Sequence, residues 1–373
     1  FAAPGQKNDR VRVYQKAAEG ERYDFFADSD HIVPVWISVT FPSLVNLKAS
    51  EPLPFRALIP PKSAGRPLFS LHGTGQGGRR SYRMLVSHAT GDPAEARPDP
   101  DFLYLFPFRH GTKHQVTQGY RGAFTHSDEN LYALDFDFDT GTLVTAARGG
   151  LVVEVKEDSS RGGPHASYAE DGNYILVRHD DGTFGNYVHL RRNGAIVEPG
   201  DRIEAGRHIG YSGSTGVSSG PHLHFDVRVP TEDGKMQSIP VRFLGQDGLP
   251  REPREGGYYY GFHPGKPPFP VVFGADLTED QFAGYAGPAK TAGKVDLRFD
   301  RIDSTYVVYV SNGFPEAREV TVDFVLRGLV PSRPDPVTVV VPPKTEKFLI
   351  ILRADPKAAG WQHGYTIRNR PAR

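Results

Sequence analysis

The sequence contains no cysteine. Disulfides, thiolate metal ligands and a thiol nucleophile are therefore excluded. It has no excess of either charge: 44 Lys and Arg balance 44 Asp and Glu, for a formal net charge of zero. Nucleic acid is thereby disfavoured as a main partner, because neutralising phosphates requires a basic surface. No apolar run approaches the roughly 18 residues of a membrane-spanning helix, so no transmembrane segment is predicted. Helical periodicity is scarce, so any helices should be short. What is abundant is turn-forming residues, 41 Gly and 32 Pro, separating short alternating apolar runs. This pattern predicts a mostly β, turn-rich protein, and 373 residues fit two or three domains. The printed sequence opens FAAPGQKN, without Met or a charged-then-apolar leader. The expectation is a processed start, with a signal peptide removed and the protein exported to the periplasm or beyond the cell.

The most informative stretch is GSTGVSSGPHLHFD, residues 213–226. Small residues run into an alternating tail. Read as a strand, it turns His222, His224 and Asp226 to one face and Leu223, Phe225 and Val227 to the other. Two imidazoles two residues apart can share a site, and the Gly/Ser run lets backbone pass close by. Upstream lie His126, Asp135 and His189, each near the end of a predicted strand. Two histidines and a carboxylate are donors suited to zinc. Asp137 and Asp139 share the alternation phase of Asp135 and compete with it.

This stretch resembles the signature of the LytM/lysostaphin-type zinc metallopeptidases. The resemblance continues through THSDENLYALDFD (125–137), TGTLVTAARGGLVVEV (140–155), NYILVRHDDGTFGNYVHL (173–190) and VEPGDRIEAGRHIGYSGSTG (197–216). It implies a central LytM-like antiparallel β catalytic domain. It also implies Zn2+ held by His126, Asp135 and His224, with His189 and His222 acting on the attacking water and the developing oxyanion. The implied activity is hydrolysis of peptide bonds in peptidoglycan stems or cross-bridges. The alternatives are a secreted zinc protease acting on proteins and a non-catalytic LytM-like activator of cell-wall amidases. One departure from the family pattern is the spacing. Eight residues separate His126 from Asp135, where three are usual. That leaves His126 the least secure ligand and suggests an altered cleft rim.

Two similar patterns flank this core. WISVTF (36–41), FRALIPPK (55–62) and PLFSL (67–71) correspond to EVTVDF (319–324), VTVVVPPK (337–344) and FLIIL (348–352), at an offset of about 282 residues. The expected organisation is a small β-sandwich-like domain over 1–97, the peptidase-like domain over 98–250, a Pro/Gly-rich linker over 251–270 and a second β-sandwich-like domain over 271–373. The N-terminal sandwich is expected to pack against the core and narrow its cleft. Trp36, Tyr82, Trp361 and Tyr365 have the character of core residues, with sugar stacking as the alternative.

Other motifs read as structural. HGTGQGG (72–78) lacks the Lys-Ser/Thr of a phosphate loop and reads as a hairpin loop. The Gly-x-Ser-x-Gly match at 216–220 lacks the strand-to-helix setting of a nucleophile elbow. HGTKH (110–114) lacks the Glu of a zincin helix, so its histidines read as loop residues. His179, beside a turn, reads as structural or exposed.

Overall fold

A computed structural model describes residues 10–17, 22–75, 77–358 and 360–372; most of the polar lead-in over 1–20 lies outside them. Among the described residues there are strands and four short 3-10 turns, with no α-helix. The chain divides into two compact units, residues 1–269 and 270–373.

The first unit begins with a sandwich. One sheet has the strand order Val11–Ala17, Arg22–Ser29, Ser63–Gly73, Leu47–Ala49; the other has Phe55–Ile59, Val35–Val45, Ser81–Thr90. Alternate residues of both sheets meet in a core of Phe25, Val35, Ile37, Ile59, Phe69 and Leu71. The glycine-rich loop after Gly73 crosses between the two sheets, so it is not a hairpin loop.

The second unit repeats this plan. Val295–Ile302, Thr305–Asn312, Thr345–Ala354 and Leu329–Pro331 form one sheet, and Val337–Val341, Arg318–Arg327 and Gln362–Pro371 the other. Each of these strands matches its counterpart in order and pairing, and Ala286–Pro288, added on Thr345–Ala354, has no counterpart in the first sandwich. The left-handed residues Lys62 and Lys344 close equivalent Pro-Pro-Lys turns. Trp361 and Tyr365 lie beside Tyr306 and Phe299 at an edge of this sandwich.

Between the sandwiches in sequence lies a large antiparallel sheet. Its order is Arg202–Ile203, Gly150–Lys156, Tyr174–Arg178, Phe184–Val188, Leu223–Pro230, Leu134–Phe136, Lys113–Gln118, Tyr258–Tyr260. Met236–Ile239 pairs with the second half of Leu223–Pro230. One face buries Ile175, Val177, Tyr187, Leu223, Phe225 and Val227 against Phe106, Phe108 and Ile209. The FLYLFPF run is strand only at Leu103–Tyr104, yet Phe106 and Phe108 still enter the core.

The opposite face carries the histidines at one side and the N-terminal sandwich at the other. Val33 packs on Val153, Leu176 and Phe184. Beside them Glu154 is buried, accepting from Thr90 Oγ1 at 2.7 Å and Tyr174 Oη at 2.9 Å. The stretch 251–269 has linker composition but is drawn into this unit. Its Tyr258-Tyr259-Tyr260 run is a strong strand former and pairs with Lys113–Gln118. His110 pins the same stretch: His263 N donates to its Nδ1 at 3.0 Å, and its Nε2 lies 2.8 Å from Pro267 O. His114 sits on a strand, with its ring against Phe108 and Phe138.

Candidate metal centre

Register brings the first two residues of the site together. Leu134–Phe136 pairs antiparallel with Leu223–Pro230 so that Asp135 stands opposite His224. On its other side Asp135 stands opposite Gln118, whose Nε2 lies 3.3 Å from Asp135 Oδ2. A bulge between Asp135 and Phe136 ends the alternation there. Asp137 is consequently turned outward, accepting from Gln115 N, and Asp139 is exposed. Neither reaches the site, so Asp135 is the carboxylate of the group.

His126 enters from the loop after Gln118 and is buried. Its Nδ1 lies 2.7 Å from Gly119 O, and its Nε2 lies 3.2 Å from Asp135 Oδ1. A carbonyl only accepts, so Nδ1 carries the proton and Nε2 presents its lone pair to Asp135. His224 is placed the same way by a different partner. Its Nε2 lies 2.9 Å from Asp226 Oδ2, and its Nδ1 lies 3.0 Å from Asp135 Oδ1. With Nε2–H donated to Asp226, it is Nδ1 that faces Asp135. One donor atom each from His126, Asp135 and His224 lies within 4.8 Å of the others. Three acceptors crowd one buried point, an arrangement that calls for a cation between them.

The local electrostatics agree. Burial would raise the Asp135 carboxyl, but the His126 and His224 imidazoles beside it hold it well below the usual carboxylate range. Burial would lower His224, yet Asp135 and Asp226 lift it to about 9, so without a metal a proton sits at Nδ1, in the place a cation would take. The group attracts positive charge, whether a proton or a metal ion.

His189 and His222 stand beside this group. Their rings are 4.5 Å apart, and the His189 ring is 5.7 Å from that of His224. His189 adopts a left-handed backbone, φ 65°, uncommon for a non-glycine residue. Its Nδ1 donates to Thr215 O at 2.6 Å, which leaves Nε2 bare. Burial, then the neighbouring His222 and His224, push its pKa down to about 3, so it is neutral. His222 Nδ1 donates to Gly220 O at 2.9 Å, and its Nε2 lies 3.8 Å from Asp135 Oδ1. Ser218 donates its own hydroxyl to Gly220 O, so the Gly-x-Ser-x-Gly match is a loop contact, not a nucleophile.

Glycines let the surrounding loops close. Gly162 and Gly163 pair in parallel with Gly216 and Val217. A Cβ on Gly162 would stand 1.9 Å from Ser214 O, so only glycine allows this approach to the segment carrying Thr215. His179 lies elsewhere: it is fully buried, with Nδ1 2.8 Å from Thr183 Oγ1.

Sequence reasoning assigned no role to Asp226, Asn186, Arg228 or Asn130. Asp226 accepts from His224, Asn186 and Arg228 and is fully buried. Its signal was present, since it shares the strand face of His222 and His224.

Comparison with known proteins is consistent with this geometry. Residues 129–238 match Peptidase family M23, a span that holds Asp135, His189, His222 and His224. The glycyl-glycine endopeptidase ALE-1 of Staphylococcus capitis is 36% identical over 120 residues, 32% of this chain and 30% of that protein. Lysostaphin of Staphylococcus simulans is 37% identical over 118 residues, 31% of this chain and 22% of that one. The peptidoglycan DD-endopeptidase ShyA of Vibrio cholerae is 35% identical over 95 residues, 26% of this chain and 19% of that one. The chain thus spans less than a third of the length of these relatives. The matched segment is thus similar to the M23 peptidase domains of the LytM/lysostaphin type.

Proposed function

We propose that this chain is an exported zinc-dependent endopeptidase that hydrolyses peptide bonds in bacterial peptidoglycan stems or cross-bridges. The observation that carries the reading is the convergence of His126 Nε2, Asp135 Oδ1 and His224 Nδ1, with the other nitrogen of each histidine engaged by an outer partner. Two imidazoles and one carboxylate, buried and cysteine-free, suit Zn2+ and leave a coordination position open. Zinc in such a site supplies a Lewis acid that polarises a carbonyl and acidifies water.

The remaining steps belong to side chains. His189 donates Nδ1–H to Thr215 O, which leaves its Nε2 free to take a proton from an attacking water. His222, next to it, is placed to hold a proton near the oxyanion that develops on the scissile carbonyl. The carbonyls of Thr215 and Gly220 fix both rings beforehand, so little reorganisation accompanies reaction.

The N-terminal sandwich supports a restricted cleft. Tyr174 stands opposite Val188, and Val188 opposite His224, so one sheet row runs from the site toward Tyr174. The Tyr174 hydroxyl joins Glu154 and Thr90 at the foot of the sandwich. The sandwich meets the sheet two strands from His224, which supports a role in selecting slender peptides.

Purified sacculi incubated with the full chain, with and without a chelator, test the reading. It predicts release of new amino termini that the chelator abolishes and zinc restores. Cleavage of soluble proteins with intact sacculi would point to a general protease. No cleavage of either by zinc-loaded protein would leave a binding role only.

A further inference from the structure

We propose that the eight residues between His126 and Asp135 brace the metal ligand His224, through Asn130, Arg228 and Asp226. The proposal rests on the metal reading of the His126, Asp135 and His224 group.

The chain of contacts is continuous. Asp226 lies two residues after His224 on the same strand face, and its Oδ2 takes the His224 Nε2–H at 2.9 Å. A single hydrogen bond to a carboxylate does not fix an imidazole ring, because the carboxylate can itself turn. Arg228 removes that freedom. Its Nε donates to Asp226 Oδ1 at 2.5 Å and its Nη2 to Oδ2 at 2.8 Å, a two-pronged grip that sets the carboxylate plane. Asn186 Nδ2 adds a third donor at 3.2 Å.

The guanidinium in turn needs a stop, because a long side chain retains rotamer freedom. Arg228 Nη2 also donates to Asn130 Oδ1 at 2.7 Å. Asn130 ends the 3-10 turn Asp128–Asn130, inside the eight-residue spacing. That turn and the residues after it are clipped to the hairpin bearing His224 at three further points. Lys235 Nζ meets Glu129 Oε1 at 2.7 Å, Gln237 Nε2 donates to Asp128 O at 2.9 Å, and Tyr132 N donates to Ser238 Oγ at 2.9 Å. The long spacing is therefore not slack in a loop. It is a folded element that reaches across the hairpin and holds the far end of the Asp226–Arg228 pair. Without it the pair can swing, His224 can rotate, and Nδ1 loses its aim at Asp135 Oδ1. Asn130 and Arg228 are positioning residues; neither reaches the metal point.

The test uses the full chain with Asn130→Ala, Asn130→Asp, Arg228→Met and Arg228→Lys. Three quantities are read: zinc affinity by competition with a chromophoric chelator, the visible spectrum with cobalt(II), and the melting temperature before metal is added. Arg228→Met should weaken zinc binding by roughly 10–100-fold, the range for groups that orient metal ligands. Asn130→Ala should weaken it by less and shift the cobalt spectrum, with little change in melting temperature. Asn130→Asp keeps the acceptor and should restore both readouts. Should Arg228→Met fail to fold, the Asn130 pair decides. Wild-type affinity and an unchanged cobalt spectrum in Asn130→Ala would overturn the brace. So would equal losses in Asn130→Ala and Asn130→Asp. Failure of the wild-type chain itself to bind zinc would overturn the metal reading instead.

Discussion

Asp135 and His224 stand directly opposite each other across two antiparallel strands, and the Oδ1 of one lies 3.0 Å from the Nδ1 of the other. A one-residue slip of that register would turn one of the two side chains toward the apolar core and part the pair. The packing of Leu134, Phe136, Leu223 and Phe225 that fixes the register therefore also assembles the site.

The first prediction separates ligands from proton-handling groups. His189→Ala and His222→Ala should retain zinc and lose about 10²–10³ in turnover, the scale for removing one such group. His224→Ala should lose zinc affinity as well. Metal analysis beside peptide hydrolysis checks this. Loss of zinc in His222→Ala with retention in His224→Ala would reverse the assignment within the pair.

The second concerns His179. Burial, then the nearby Arg148, push its pKa down to about 3 from an ordinary 6.5. The Thr183 hydroxyl gives its proton to Asp181 Oδ1 at 2.7 Å, so His179 Nδ1 must donate to Thr183 and the ring is held neutral. A depressed folded pKa contributes stability that is complete above about pH 6.5. That contribution is lost as pH falls from there toward 3. The slope is at most about 1.4 kcal/mol per pH unit for one group. Urea unfolding at pH 7 and pH 5 should show wild type losing more stability than His179→Asn between the two. Equal losses would contradict this account of His179.

The third concerns where the chain can be cut. A fragment of residues 98–250 loses Val33 from Val153, Leu176 and Phe184, and the Thr90 hydroxyl from buried Glu154. It also loses the strand Tyr258–Tyr260. It should melt well below a fragment that runs to residue 269 and keeps the N-terminal sandwich. Thermal melts of both decide, and equal melting temperatures would contradict the packing described.

Much of the site was legible because strand alternation is local. His222, His224 and Asp226 share a phase that can be read from five residues. Asp137 and Asp139 could not be separated from Asp135 that way, because the bulge that ends the alternation depends on the pairing with Lys113–Gln118. The carbonyls of Gly119 and Thr215 that set the histidine tautomers are backbone groups without a residue signature. The Asn130–Arg228 contact joins residues 98 apart. For the fold, the duplicated sandwich was visible in matched Pro-Pro turns. The linker reading of 251–270 gave way because its proline and glycine content masked the Tyr258–Tyr260 strand.

Zinc stoichiometry tests the central claim most directly. Elemental analysis of the purified chain after zinc loading and desalting should find about one zinc per chain, and near none in Asp135→Ala. No zinc in the wild-type chain, or an equal amount in Asp135→Ala, would contradict the metal centre at His126, Asp135 and His224.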